Sequence, residues 1–270
     1  MSVASEIREE QKKALSTMST KEKFAYFWDY YKIHTLAAII IIVIAISFIV
    51  QVATNKDYAF YAVLVDAVTS ESNYDLTETW NSEFLEYAQI DPDEYKVYID
   101  TSLSLTEGVD MQYTIANEQK LFAMLQAGNV SALVSGTESF ETYAQFQYFY
   151  DMESILSKEE ADKYRPYFYY TDAATFDDGN DAPSLDPSEQ EDPGTRIVNH
   201  RDPASMEQPV AVGIILTEDN KIADAGYYTY LTVGEYQYQG YPSDAVLGIP
   251  LTNKEPALVI RFLEYLQLGD

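Results

Sequence analysis

The chain carries a long uncharged apolar run near its amino end, TLAAIIIIVIAISFIVQVATN at residues 35–55. A helix needs about 20 residues to cross the hydrocarbon core of a bilayer, which is about 30 Å thick. The run contains seven isoleucines, which in water would favour a strand. In lipid, however, the backbone must satisfy its own hydrogen bonds, so an isolated apolar segment becomes a helix. The run therefore predicts a transmembrane helix rather than a buried core element.

The same run differs from a cleaved signal peptide. A signal peptide has a short basic start, an apolar stretch of about 7–15 residues and a small-x-small cleavage site. Here 34 residues precede the run, and the run is longer than the apolar stretch of a signal peptide. The candidate cleavage site Ala45-Ile46-Ser47 lies inside the run. These features predict a retained signal-anchor.

Basic residues flank the span unequally. Six of them precede it, at Arg8, Lys12, Lys13, Lys21, Lys23 and Lys32. Only Lys56 follows it closely, and the next basic residue is Lys96. Lys and Arg are enriched on the cytoplasmic side of a span. We therefore expect a cytoplasmic and juxtamembrane segment at 1–34, a transmembrane helix at 35–55 and an extracellular domain at 56–270 of a cell-membrane protein.

The charge of the outer domain restricts its partners. Residues 1–34 hold six basic and five acidic residues, or +1, and the span holds none, so the total of −27 leaves −28 for residues 56–270. Such a domain repels phosphate backbones, which argues against nucleic acid. The absence of cysteine excludes disulfides, thiolate metal sites and a lipidated cysteine. No cofactor or metal is predicted, and an outer domain without disulfides fits a bacterial surface.

An aromatic helix face is predicted just before the span. Ser19 and Glu22 form a capping-box pattern for a helix start. The residues Phe24, Phe27, Trp28 and Tyr31 then follow at helical spacing on one face. This face either anchors the helix at the lipid–water boundary or docks another membrane protein.

The first half of the outer domain alternates between strand and helix patterns. Strands are predicted at 58–65, 96–105 and 132–135, with helices at 75–87, 116–127 and 137–147. This βαβαβα order predicts an α/β fold with a mainly parallel sheet and helices on both of its faces. A capping box at Ser157 and Glu160 opens one further short helix.

The second half begins with an acidic loop insert. Residues 171–209 are rich in Asp, Pro and Ser, which predicts a long or poorly ordered loop. A buried strand follows at 210–216, then a hairpin candidate at 227–241 around Gly234 and a short strand at 246–250. Pro256 and Gly269 frame a closing helix.

Two stretches resemble a known family. The stretch NEQKLFAMLQAGNVSALVSGTESFETYAQFQYFYDMESILSKEEADKY is similar to the first lobe of extracytoplasmic solute-binding proteins, and AVLGIPLTNKEPALVIRFLEYLQ is similar to their closing strand and helix. The resemblance covers residues 58–164 and 210–268. It implies a Gram-positive protein that binds a small solute between two lobes. About 45 residues separate Tyr164 from Val210, which is too few for a second lobe, so a one-lobed, helix-anchored relative is expected.

A candidate ligand site follows from the predicted sheet. In open α/β sheets, ligands bind beyond the carboxyl ends of the strands. That rule selects five residues for ligand binding: Asp66, Thr69, Ser135, Gly136 and Thr137. Backbone amides after Ser135 could hold an anion at the start of a helix. In the alternative interpretation, Thr137 only caps that helix.

Other chemistry finds less support in the sequence. The acidic turn at residues 177–181 lacks the spacing of a calcium loop. His34 and His200 are the only histidines, one at the membrane edge and one in the insert, which argues against a histidine triad or a zinc site. Four tyrosines of the hairpin region are either a sugar-binding platform or cross-strand packing: Tyr228, Tyr230, Tyr236 and Tyr238.

The leading functional hypothesis is a non-enzymatic, membrane-anchored binding or interaction domain. Its expected partners are the lipid bilayer, together with a membrane or extracytoplasmic protein or a small solute. One alternative is a carbohydrate-active hydrolase, which needs two carboxylates about 5–10 Å apart in one cleft. The other alternative is a structural subunit of a membrane complex, contacted through the aromatic helix face.

Overall fold

The computed structural model describes residues 12, 16–71, 73–105, 111–176, 199–216, 220–228, 232–233, 236–237 and 245–268, and the structural statements below concern these residues. The chain divides into two compact units, Met1–Asn55 and Lys56–Asp270. The boundary falls at the end of the apolar run.

The first unit contains one long helix, α1 (Thr20–Thr54). The predicted capping box is confirmed, because the Glu22 amide donates to Ser19 Oγ and the Ser19 amide donates to Glu22 Oε2. Within α1, Tyr31–Val52 is long and apolar enough to cross a membrane. Phe24, Trp28 and the large aliphatic side chains after them are exposed.

The second unit combines a six-stranded sheet, a two-stranded sheet and short helices. Its strands are β1 (Asp57–Leu64), β2 (Tyr95–Asp100), β3 (Ala132–Gly136), β4 (Phe168–Asp172), β5 (Pro209–Leu216), β6 (Thr232–Val233), β7 (Tyr236–Gln237) and β8 (Ala245–Gly248). Its helices are α2 (Leu76–Tyr87), α3 (Met111–Gln126), α4 (Thr137–Gln145), α5 (Met152–Ile155), α6 (Lys158–Tyr164), α7 (Lys221–Asp224) and α8 (Pro256–Tyr265). Most predicted elements are present, although no strand was predicted at β4.

The sheet is mixed, and the prediction of a mainly parallel sheet is wrong. Its strand order is β2-β1-β3-β8-β5-β4. The pairs β1–β2 and β1–β3 are parallel, as their helical crossovers require, whereas β3–β8, β5–β8 and β4–β5 are antiparallel. A short apolar run has the same pattern in either direction, so hydrophobic periodicity could not show that β8 enters between β3 and β5 in the opposite sense.

Helices cover both faces of the sheet. On one face, Phe60 of β1 packs with Phe84 of α2 and Phe262 of α8, with ring centroids 4.8–5.0 Å apart. On the other face, Leu121 of α3 and Phe140 of α4 belong to a second buried cluster. This α/β layering agrees with the alternating sequence pattern.

The predicted insert at 171–209 contains structured ends. Thr171 and Asp172 complete β4 and are buried, with relative exposures of 0% and 4%. The Asp172 carboxylate accepts hydrogen bonds from the amides of Glu207 and Gln208, at 2.8 Å each, and so joins the two ends. Residues 177–198, including the acidic turn at 177–181, lie outside the described residues. The predicted hairpin is present as the antiparallel pair β6–β7.

Candidate functional site

The candidate site lies at one edge of the sheet. The strands β1, β2 and β3 are parallel, and β5 runs in the same direction because both it and β3 are antiparallel to β8. The carboxyl ends of these four strands therefore meet at a common edge, which we call the carboxyl edge. At this edge, the structure describes the segments that follow β1, β2 and β3.

Asp66 joins the loop after β1 to the loop after β2. Its Oδ1 accepts hydrogen bonds from Ser104 Oγ at 2.8 Å and from the Leu105 amide at 2.7 Å, and its own amide donates to Leu103 O at 2.9 Å. Its φ of 57° is left-handed, a conformation that a short polar side chain tolerates better than most. Asp66 therefore holds the carboxyl edge together as well as lining it.

Ser135, Gly136 and Thr137 form the turn from β3 into α4. Ser135 is 1% exposed and its hydroxyl donates to Gly136 O at 3.3 Å. The N-cap of α4 is Gly136, whose extended backbone carries no capping side chain, and Thr137 is the first helical residue. The alternative in which Thr137 caps this helix is therefore wrong. The first-turn amides and the positive end of the α4 dipole face the carboxyl edge.

Tyr228 closes the gap between the ends of β1 and β3. Its hydroxyl lies 3.0 Å from both Val65 O and Val134 O, so its single proton is shared between the two carbonyls. Burial, with a contribution from the charge of Asp66, raises its pKa well above the usual range. These contacts place Tyr228 inside the fold, and the structure describes no side chain for Tyr230, Tyr236 or Tyr238.

Helix α3 contacts this edge, and α4 carries a tyrosine that responds to the charge of Asp66. Burial, followed by the charges of Glu118, Tyr148 and Asp66, raises the pKa of Tyr143 to about 12. Glu118 is exposed, whereas Asn117 beside it is buried and donates to Ser104 O at 2.8 Å. The edge thus combines the Asp66 carboxylate, the Tyr228 hydroxyl and the amides of a helix start.

Of the five predicted residues, four flank one junction. Asp66 follows Val65, and Ser135, Gly136 and Thr137 follow Val134. The Tyr228 hydroxyl contacts the carbonyls of both valines, so it lies next to both groups. Thr69 lies further along the loop after β1 and is exposed. This loop is held by Asn73, whose Nδ2 donates to Val68 O and Ala225 O at 2.9 and 3.0 Å. Asn73, Ser104, Asn117 and Tyr228 were not predicted for this site, since no local motif marks them.

A second polar cluster was missed by the sequence reasoning. Glu141 of α4 accepts hydrogen bonds from Tyr169 and Thr171 of β4, at 2.9 Å each. His200 stacks on the Tyr169 ring, with centroids 4.4 Å apart, and its Nδ1 lies 3.6 Å from Glu141 Oε2. Burial, followed by the charge of Glu141 and the hydrogen bond to it, raises the pKa of Tyr169.

The backbone explains part of this cluster. His200 Nδ1 donates to Tyr170 O at 2.8 Å, and the Tyr170 amide donates to His200 O at 2.8 Å. His200 therefore satisfies both backbone groups of Tyr170 on the outer edge of β4, which would otherwise be an open strand edge. A structural role accounts for the histidine that the sequence placed in an acidic loop.

Comparison of the chain with protein-family models, with curated proteins and with solved structures finds no match of any of the three kinds. Function therefore rests on the geometry of the two units.

Proposed function

We propose that this chain is a single-pass membrane protein whose second unit is an extracytoplasmic binding or interaction domain. The apolar Tyr31–Val52 segment supports the anchor by its length and composition. The excess of Lys and Arg before the span supports a cytoplasmic amino terminus and an outer carboxyl-terminal domain. The aromatic face that precedes the span suits the lipid–water boundary.

The binding site of this proposal is the carboxyl edge. The observation that carries it is the junction at Tyr228, which sets Asp66 beside the uncapped start of α4. Carboxylates accept hydrogen bonds or bind an amino group, and first-turn amides donate to a carboxylate or a carbonyl. Such an edge suits a ligand that carries both kinds of group, such as a protein segment or a small zwitterionic solute.

Binding, rather than catalysis, is the role that we infer for these residues. Asp66 accepts two hydrogen bonds from the loop after β2, and Glu141 accepts two from β4, so both carboxylates already serve the fold. The resemblance of the chain to one lobe of a solute-binding protein is in keeping with this role. A hydrolase would instead need two carboxylates that face one substrate.

A photo-crosslinking experiment tests this proposal. A benzophenone amino acid is introduced at the exposed Thr69 of the full chain and, as a matched control, at the exposed Glu264 of α8. After irradiation of native membranes, we expect a discrete adduct from position 69 that mass spectrometry can identify, and none from position 264. The proposal fails if position 69 captures nothing, or if both positions capture the same species.

A further inference from the structure

Three tyrosine rings cluster on the sheet face of β1 and β2. The ring centroids of Tyr58, Tyr61 and Tyr98 lie 5.1, 5.3 and 6.1 Å apart, and we call these three residues the tyrosine cluster. Tyr58 is 48% exposed and Tyr98 is 40% exposed. The cluster is therefore an aromatic surface open to whatever surrounds the domain.

A β-bulge places Tyr58 in this cluster. In a regular strand, Tyr58 and Phe60 would point to the same face. The register of β1 against β2 shifts between these two residues, and Phe60 instead enters the core beside Phe84 and Phe262. Because of the extra residue, Tyr58 points to the same face as Tyr61, and such a change of side-chain direction is typical of β-bulges.

The rim of the cluster is polar and carries lysines. Lys96 Nζ lies 4.2 Å from the centroid of the Tyr58 ring. The Tyr61 hydroxyl donates to Asp100 Oδ2 at 2.7 Å, and Lys120 Nζ lies 3.9 Å from the same oxygen. Rings with hydroxyl tips and long basic side chains are amphipathic groups that prefer a lipid–water boundary.

The covalent chain keeps Tyr58 close to the end of α1. Only Asn55 and Lys56 separate α1 from β1. An extended chain advances at most about 3.5 Å per residue, so the Cα of Tyr58 lies within about 14 Å of that of Thr54. The headgroup layer on each side of a bilayer is about 5–8 Å thick. If α1 spans the bilayer, the amino end of β1 therefore lies no farther than about 14 Å from the end of the spanning helix.

We propose that the tyrosine cluster docks in the lipid headgroup layer of the outer leaflet. This inference rests on the proposed function, because it requires α1 to be the anchor. Asp57, Asp91, Asp93 and Glu94 are exposed near the same strand ends and oppose attraction to anionic lipid. The contact is therefore made by ring burial, and it is stronger on zwitterionic than on anionic membranes.

Spin labelling of the full chain in phosphatidylcholine vesicles tests this docking. The chain has no cysteine, so each Lys96→Cys or Glu264→Cys variant carries a single nitroxide. We expect the label at position 96 to be shielded from an aqueous nickel chelate and accessible to lipid-soluble oxygen, and the label at position 264 to show the reverse. Replacement of part of the phosphatidylcholine by phosphatidylglycerol should reduce the shielding at position 96.

Substitution of the rings tests their role within the same labelled chain. Tyr58→Ser with Tyr98→Ser should return the label at position 96 to nickel accessibility. The matched control is Tyr74→Ser with Tyr87→Ser, at side chains that are 75% and 45% exposed outside the cluster, and it should leave the shielding in place. Near-ultraviolet circular dichroism verifies that both double variants keep the fold.

The outcomes separate the inference from its premise. A chain that fails to insert into vesicles overturns the proposed anchor and the docking with it. An inserted chain whose label at position 96 is as accessible to nickel as the label at position 264 overturns the docking alone. Shielding that survives the cluster substitutions also overturns the docking. Shielding that disappears when the protein is diluted in lipid overturns it as well, because it points to a second copy of the chain as the occupant.

Discussion

Tyr143 shows at the residue scale how the candidate site couples to stability. It packs against the cluster beneath α4, and burial together with the charges of Glu118, Tyr148 and Asp66 raises its pKa to about 12. An ordinary tyrosine has a pKa of about 10. Between these two values the unfolded chain has lost this proton while the folded chain still holds it. Rising pH therefore favours the unfolded state in this window.

We predict that Tyr143→Phe reduces the alkaline loss of stability. One proton of difference changes the free energy of unfolding by about 1.4 kcal/mol per pH unit. Between pH 10 and about 12, the free energy of unfolding should therefore fall with pH in both proteins, and the slope should be smaller in the variant by about this amount. Urea unfolding of the full chain in detergent, at several pH values, measures it. Tyr74→Phe, at a side chain that is 75% exposed, is the control, and equal slopes for parent and Tyr143→Phe would contradict the assignment.

Glu141 and His200 illustrate what residue types alone leave undecided. Glu141 is one of many acidic residues in the sequence, and its partners Tyr169 and Thr171 lie 28 and 30 positions away. No local pattern links them, because the contact depends on α4 packing near the edge strand β4. The same packing gives His200 its ring partner, although the sequence suggested only a histidine in a loop.

At the element scale, two glycines allow α4 to approach the sheet. The rings of Phe140 and Phe149 stack with centroids 4.5 Å apart. A Cβ on Gly248 of β8 would lie 2.6 Å from the Phe149 ring and 2.8 Å from the Phe140 ring, and one on Gly213 of β5 would lie 2.7 Å from the Phe140 ring. The absence of a side chain at these strand positions therefore makes room for the aromatic pair.

We predict that Gly248→Ala destabilises the second unit. The added methyl group overlaps both rings, and overpacking of a filled core costs about 1–3 kcal/mol. Urea unfolding should show this loss in the parent background. In a Phe149→Leu background, where one ring is gone, the same substitution should cost less. An equal cost in both backgrounds would show that the rings are not what excludes the methyl group.

The elements also divide into those that sequence could place and those it could not. The capping boxes at Ser19 and Ser157 are present with both reciprocal hydrogen bonds, because a cap is a contact over three residues. The strand β4 was missed, since its sequence FYYTD adjoins the Asp-, Pro- and Ser-rich stretch and is short. Its pairing with β5 supplies the hydrogen bonds that local propensity does not predict.

At the scale of the whole molecule, the orientation of the chain is the property most open to test. The sequence supports a cytoplasmic amino terminus only through the Lys and Arg asymmetry around the span. We predict that a membrane-impermeant thiol reagent labels a Glu264→Cys variant on intact cells and leaves a Ser16→Cys variant unlabelled. Permeabilised cells, in which both variants should react, provide the control. Labelling of Ser16→Cys alone on intact cells would reverse the proposed topology.

Features that depend on neighbouring residues could be predicted from the sequence alone. These are the long apolar helix, the capping boxes, the alternation of strands and helices up to α4, and the polar residues that follow β1 and β3. Four features became visible only in the folded protein: the direction and place of β8, the junction at Tyr228, the cluster around Glu141 and the grouping of Tyr58 with Tyr98. The physical reason is that periodicity and capping act within a few residues, whereas strand order and side-chain encounters arise from packing between segments far apart in the chain.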